Sequence, residues 1–551
     1  MTPYTAEGIL ALITKLCAIP SISGHAEQEN ACAKLIYEEL KSIPCSGGNM
    51  LDVKFIDCEG DALRRKAVYA LLTPPRAAER SVLLTGHFDV VDTSCYGELQ
   101  PIACDLPLLT EKLKELGGLE RTAQADLESG NWLFGRGSMD MKAGLALFIA
   151  AIGKYAAQEN LAVNIAFLAV PDEEANSAGM RGAMREFCTL LEEHSIKLNA
   201  ALTGEPCFWT KAAGQTPATR PYYTGSTGKI MPAFLAVGQG AHIENYFAGL
   251  SSALMIANVV RAVEASAALQ ERTVDGVLLS PAACLSMQVR RDSYSVTLPE
   301  RSAAYFNVLC VERTPLEILQ ICRQAATSAA LETLAAVSRA ARAYGKSVTL
   351  PSIDVFTVSE LVQMRAAQAK ITKPDVMLEL VQFARSVPGE LDAREISLRT
   401  LEHLASSVRL INPAIIVGFV PPYYPALYNR NRTEDEKRLR GIIMETVREA
   451  AELAGDGATS YTEVFMGISD LSFLGFQGEE AALLALKDNM PGWGVAYDLP
   501  IEQLLTLDVP VANMGPAGRD AHKDTERLEL RYSLEVAPKL LLNAIDKIAR
   551  N

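Results

Sequence analysis

Histidine and carboxylate residues crowd into five short segments of this chain: SVLLTGHFDVVD (81–92), WLFGRGSMDMKAG (132–144), IAFLAVPDEEAN (165–176), ALTGEP (201–206) and GPAGRDAHKDTE (515–526). The segments recur where apolar, strand-like runs end, and ligands of open α/β sheets bind just beyond the carboxyl ends of strands. Imidazole and carboxylate donors without thiolate suit zinc, cobalt or manganese. Pieces this far apart in sequence point to a metal site assembled by folding. A pair of metals activates water against an ester or amide bond.

His87 stands two residues before Asp89. A metal-bound imidazole needs its other ring nitrogen fixed, commonly by a carboxylate, which suits Asp89 as the orienting group. The competing reading is a solvated loop histidine. Asp140 is flanked by Gly135, Gly137 and Gly144, which permit tight backbone around a carboxylate. Its competing role is the cap of a helix starting near Met141. The adjacent Glu173 and Glu174 suit a hydrolase in which one carboxylate binds metal and its neighbour takes a proton. They would equally suit a helix N-terminus. Cys95 and Cys207 lie near these segments but read as small hydrophobes, and His25, His194 and His403 lack supporting neighbours.

The elements that must hold these groups alternate. A helix near 5–18 and a second through NACAKLIYEELKS precede strand-like KAVYALL, SVLLTG and NIAFLAV, with a helix over AGLALFIAAIGKYAA before the last. Such alternation predicts a doubly wound, mostly parallel α/β sheet. Residues 93–131 read as an excursion from it, and Gly214–Pro221 as a hinge. Beyond the hinge, KIMPAFLAV predicts a strand, SSALMIANVVRAVEASAALQ a long helix, and ACLSMQVRRDSYSVTL and AAYFNVLCVER two further strands. That order describes an α+β lid, enlarged by a helical block at 316–410 and rejoined by the strand-like INPAIIVGFVPPYY. The expected organisation is a catalytic domain over 1–213 and 431–551, with the lid over 214–430.

Composition narrows the function classes. The 551 residues exceed one compact core. A net charge of −14 without a long basic run argues against nucleic acid as partner. No segment reaches the eighteen or so apolar residues of a membrane span. The N-terminal stretch, with Glu7 ahead of its apolar residues, reads as a helix and not a signal peptide. Eleven scattered cysteines favour reduced thiols and hence a cytoplasmic location.

The ordered motifs resemble those of the zinc-dependent aminoacylase and carboxypeptidase family, which includes succinyl-diaminopimelate desuccinylase, acetylornithine deacetylase and dipeptidases. The resemblance covers most of residues 5–315 and 440–548. In overall length and in its helical middle the chain is most similar to the family's arginine-utilisation protein branch. The resemblance implies that Asp140 bridges two divalent metals, zinc first with cobalt or manganese as alternatives, and that a cis peptide bond follows it. It implies His87 and Glu205 on one metal, Glu174 and His522 on the other, and Glu173 as general base toward a water held between them. His242, in VGQGAHIENY, would stabilise the tetrahedral oxyanion, in its own or a partner's site. Arg313 would clamp a substrate carboxylate, although VER stands where D-x-R is usual. The implied function is hydrolysis of the amide bond of a small N-acyl amino acid or short peptide, with a place in arginine or amino-acid catabolism and a homodimer through the lid. The alternative from another class is a non-catalytic relative that binds metal or amino acid as a sensor or partner.

Overall fold

Strands that are mostly apolar and buried at every position are covered on both faces, which is the condition of a central parallel strand. In the computed structural model, which describes residues 4–76, 78–209, 219–291, 293–389, 391–455 and 459–550, two such strands form the middle of a six-stranded sheet. The chain divides into two units, one of residues 1–226, 427–476 and 502–551, the other of 227–426 and 477–501. The stretch 477–501, expected within the catalytic domain's second part, groups instead with the second unit.

The first unit opens with β1 (Met50–Asp57), β2 (Lys66–Thr73), β3 (Ser81–His87), β4 (Trp132–Phe134), β5 (Asn164–Val170) and β6 (Ala200–Thr203). Its main sheet runs in the order β1, β2, β5, β3, β6 and Val511–Asn513. Three of the five pairings are parallel, those that join β5, β3, β6 and Val511–Asn513. β2 is antiparallel to both its neighbours, which makes the sheet mixed. Every residue of β3 and β5 is buried, whereas the edge strand β1 is partly exposed. Because β3, β5 and β6 run the same way, their carboxyl ends share one edge of the sheet. His87 closes β3, and Glu173, Glu174 and Glu205 follow β5 and β6 within four residues.

A second, four-stranded sheet in this unit gathers the other motif segments. Its order is β4, Arg527–Glu529, Ala517–Arg519 and Cys207–Phe208. The hairpin of Ala517–Arg519 and Arg527–Glu529 carries His522 at its turn. One side of the hairpin pairs with β4, just before Asp140, and the other with the strand just after Glu205. The excursion at 93–131 folds into a 3-10 segment and two helices, Leu106–Leu116 and Arg121–Ser129. These bury a satellite core of Leu109, Leu113, Ala123 and Leu127 against Trp132 and Phe134. Of the expected hinge, residues 214–218 lie outside the described residues, and Arg220–Tyr223 is a strand paired with Thr459–Thr462.

The second unit is an α+β layer. Pro232–Val237 pairs antiparallel with Arg301–Cys310 and Ala414–Phe419, and Asp354–Thr357 adds a parallel edge. The helices Val358–Ala369, Lys373–Ser386 and Ala393–Ser407 bury Leu361, Val362, Leu380 and Leu401 against Ala233, Leu235 and Ile416 of that sheet. The helix expected over 251–270 stops at Val263, because Ala265 takes a left-handed conformation at φ 50°. The strand expected over 283–298 ends at Val289, where Arg290 turns toward two glutamates. Among the described residues no helix is long and apolar enough to cross a membrane.

Candidate metal centre

Parallel strand exits and the small sheet converge in the first unit on one group of side chains, largely buried except for His522, whose ring is about half exposed. His87 Nε2 lies 3.3 Å from Asp140 Oδ1, 3.6 Å from Glu205 Oε1 and 3.8 Å from Glu173 Oε2. His522 Nε2 lies 3.3 Å from Asp140 Oδ2 and 3.1 Å from Glu174 Oε1. The two oxygens of Asp140 therefore face two different histidines. Beyond Asp140, His87 Nε2 is nearest Glu205, with Glu173 slightly farther, and His522 is nearest Glu174.

These spacings test whether cations fit. A four-coordinate ion with bonds of about 2.0–2.1 Å holds its donors roughly 3.3 Å apart, and the contacts of 3.1–3.6 Å bracket that value. Donor atoms of His87, Asp140 and Glu174 also fall within 4.8 Å of one another. Two imidazoles accompany six carboxyl groups, those of Asp89, Asp140, Glu173, Glu174, Glu205 and the nearby Asp470, a surplus of acidic donors beyond what the histidines pair with. Buried charge is retained when it is paired or ligates a metal.

Backbone geometry explains how the cluster is held. The peptide bond between Asp140 and Met141 is cis. Gly137 sits at φ +73°, and a Cβ on Gly144 would stand 2.0 Å from the carbonyl oxygen of Gly204, so the helix Lys142–Ala156 abuts the residue before Glu205. The helix cap Met141 has no side-chain capping bond, which leaves Asp140 to its two histidines. Asp172, at φ +70°, accepts the backbone N–H groups of Asn176 and Ser177 and folds the turn that carries Glu173 and Glu174. Its own carboxylate is held by the buried Arg65, which also grips Glu29 and Asp61.

Asp89 faces the Nδ1 side of the His87 ring, with its main chain nearer than its carboxylate. His87 Nδ1 meets the main-chain carbonyl of Asp89 at 3.0 Å, while the nearer Asp89 carboxylate oxygen is 3.5 Å away. That carboxylate accepts the backbone N–H of Glu173 at 3.1 Å and of Glu174 at 3.2 Å, and the Ser23 hydroxyl at 2.5 Å. Asp89 thus fixes the imidazole through its backbone and the two glutamates through its side chain.

Titration directions follow from this packing. Burial pushes Glu173 well above the ordinary carboxylate range; His87 works against it, and the charges of Glu205, Asp470 and Glu174 add to it. Glu205 is raised in the same way. Burial opposes the charged form of His87, yet hydrogen bonding to Asp140 and the other acids carries it well above its usual value. Hydrogen bonds with Asp140 and Glu174 lift His522 to about 10. Burial alone would raise Asp140, but bonds to His522 and His87 hold it far below its ordinary value.

Two features escaped the sequence reading. Asp470, on the turn Asp470–Phe473, is 3% exposed, and neither carboxylate oxygen accepts a hydrogen bond of ordinary geometry, although the Ser177 hydroxyl is close enough to influence it. Burial raises it to about 7. The second is the pair Arg136–Glu526, both nearly inaccessible, 2.5 Å apart. Arg136 also donates to the His522 carbonyl at 3.2 Å, pinning the turn that presents that histidine. Both partners lie inside motif segments, so their opposite charges were a usable signal. Asp470 offered only a lone acid in GISDLSF.

The remaining site residues belong elsewhere. His242 lies in the second unit with a half-exposed ring beside Glu244. Arg313, also there, faces Glu271 at 3.6 Å. Cys207 is buried, which pushes its thiol up to about 12.

Comparison with known proteins places the chain in a family. The model for peptidase family M20/M25/M40 matches residues 115–547. "Uncharacterized protein YqjN" of Bacillus subtilis (strain 168) is 34% identical over 555 residues, covering 100% of this chain and 98% of that protein. "Protein RocB" of the same organism is 27% identical over 543 residues, covering 97% and 94%. Among solved structures, the M20 family metallo-carboxypeptidase Sso-CP2 from Sulfolobus solfataricus shares the fold at a TM-score of 0.53, with 11% identity and coverage of 98% and 99%. The chain is an enzyme that belongs to peptidase family M20/M25/M40.

Proposed function

We propose that the chain hydrolyses the amide bond of a small N-acyl amino acid or short peptide with the help of two divalent metals, zinc first among them. The observation that carries this reading is the division of Asp140, one oxygen toward His87 and the other toward His522. His87, Asp140 and Glu205 would hold one cation, and His522, Asp140 and Glu174 the other. Bound there, the cations would polarise the scissile carbonyl and lower the pKa of water.

The chain's own residues would do the proton work. Glu173, 3.8 Å from His87, would take the proton of the attacking water and deliver it to the leaving amine nitrogen. A general base works best with a pKa near the operating pH, and burial beside other acids moves Glu173 upward from the ordinary carboxylate range. Asp89 would keep Glu173 aligned through its backbone N–H. By resemblance, His242 would donate to the developing oxyanion and Arg313 would receive a substrate carboxylate, with the second unit as lid. Alternate residues Leu285, Met287 and Val289 are about half exposed on the strand Ala283–Val289, which supports a homodimer through that unit. Eleven free cysteines support a reducing compartment such as the cytoplasm. Likeness to the arginine-utilisation branch supports a place in arginine or amino-acid catabolism.

The test is Glu173→Ala assayed on a panel of N-acyl amino acids and dipeptides. The variant should keep wild-type metal content and lose turnover by roughly 10²–10⁴-fold. Turnover retained at the wild-type level would refute the role of Glu173.

A further inference from the structure

A cavity that no part of the proposed chemistry uses lies wholly in the second unit. It is a cleft of about 580 Å³ between the end of the strand Ala283–Val289 and the helices Lys373–Ser386 and Ala393–Ser407 of the helical block. Its floor is built around Arg290. That guanidinium meets both oxygens of Glu395 at 2.8 Å and both oxygens of Glu402 at 3.0 and 3.2 Å. Arg399 adds a second bond to Glu395 at 2.8 Å. Two arginines and two glutamates thus neutralise one another and form a stiff polar base.

Two further arginines on the same cleft have no acidic partner among the described residues. Arg301 donates to the Ser406 hydroxyl at 2.8 Å. Arg291 donates to the carbonyl oxygens of Ser295 and Thr297 at 3.0 and 3.1 Å. These partners are neutral, so among the described residues no acid pairs with either positive charge, in a chain whose net charge is −14. His403 stacks on Phe383 at 4.0 Å between ring centroids and supplies a flat wall.

We propose that this cleft binds a small dianion whose charge sits on carboxylate or phosphate oxygens. The guanidinium fork matches such oxygens two at a time. Two charges that no described acid pairs with call for two negative ones. The volume suits a small molecule and greatly exceeds a halide ion. The site is independent of the metal centre, because its residues all lie in the second unit and none belongs to the cluster around Asp140.

The experiment is calorimetric titration of the full, metal-loaded chain with succinate, with inorganic phosphate, and with sodium chloride at matched ionic strength. Because both anions also approach cations, the titration is repeated on the double variant His87→Ala/His522→Ala. We expect saturable binding of one equivalent that survives in that double variant and weakens at least tenfold in Arg301→Gln. Hydrolysis by Arg301→Gln in the absence of added anion should equal wild type. Binding of succinate alone assigns the ligand to carboxylates, of phosphate alone to phosphate compounds, and of both to the shared chemistry. Should Arg301→Gln fail to fold, Arg301→Lys keeps the charge, loses the fork, and should still bind more weakly than wild type. The proposal is overturned if neither anion binds more tightly than chloride, if the Arg301 variants bind as well as wild type, or if binding disappears with the two histidines.

Discussion

Removing the guanidinium of Arg136 should make the stability of the first unit fall with pH where the wild type is level. Glu526 is 0% exposed, and burial raises its carboxyl to about 7 even though Arg136 opposes the rise. Between its ordinary value of 4.5 and about 7, the folded state therefore holds more protons than the unfolded state. Stability declines as pH rises through that window and levels off above it. In Arg136→Met the opposing charge is gone, so the folded-state value moves higher and the decline continues past pH 7. Its slope is at most about 1.4 kcal/mol per pH unit. From pH 7 to pH 9 the variant should lose about 2–3 kcal/mol relative to wild type, somewhat less than the roughly 3–5 kcal/mol typical of breaking a buried pair outright. Lost bonds to the Asp92 and His522 carbonyls add a pH-independent part. Urea titrations at pH 6 to 9, followed by the fluorescence of Trp132 and Trp209 in the first unit, measure the difference. Adding Glu526→Gln should remove the extra slope. Parallel curves for Arg136→Met and wild type would refute this account of the pair.

Other consequences are as direct. Asp470→Asn removes a negative charge that helps keep the proton on Glu173, so the acid limb of the kcat/KM profile should move to lower pH; an unmoved limb would separate Asp470 from the base. Gly144→Ala puts a methyl group 2.0 Å from the Gly204 carbonyl oxygen. It should cost about 1–3 kcal/mol by overpacking and weaken metal retention, because Asp140 and Glu205 flank that contact. Thermal denaturation and metal analysis of the variant check both effects.

The convergence of the histidine and carboxylate segments was legible because most of these residues obey two sequence-readable rules. Apolar runs bounded by turns gave β3, β5 and β6, and parallel strands deliver their final residues to one edge. The α/β class followed from the same alternation. What carried His522 and Asp140 to that edge was not legible, since the small sheet is built of strands two or three residues long, too short for periodicity. The spacing of Asp89 to His87 suggested a carboxylate on the ring, but the turn after β3 offers the nearer backbone carbonyl and sends the carboxylate to the glutamates. Helix-favouring alanines after Val263 masked the left-handed Ala265. Asp470 was missed because one acid in an apolar stretch has no local pattern; only tertiary packing brings it beside Glu173 and Glu205.

The central claim, two cations sharing Asp140, is tested most directly by metal content measured on purified chains saturated with zinc and freed of excess. Wild type should carry two equivalents, His87→Ala and His522→Ala one each, and Asp140→Ala fewer than either. A single equivalent in wild type, or two retained in both histidine variants, would contradict it.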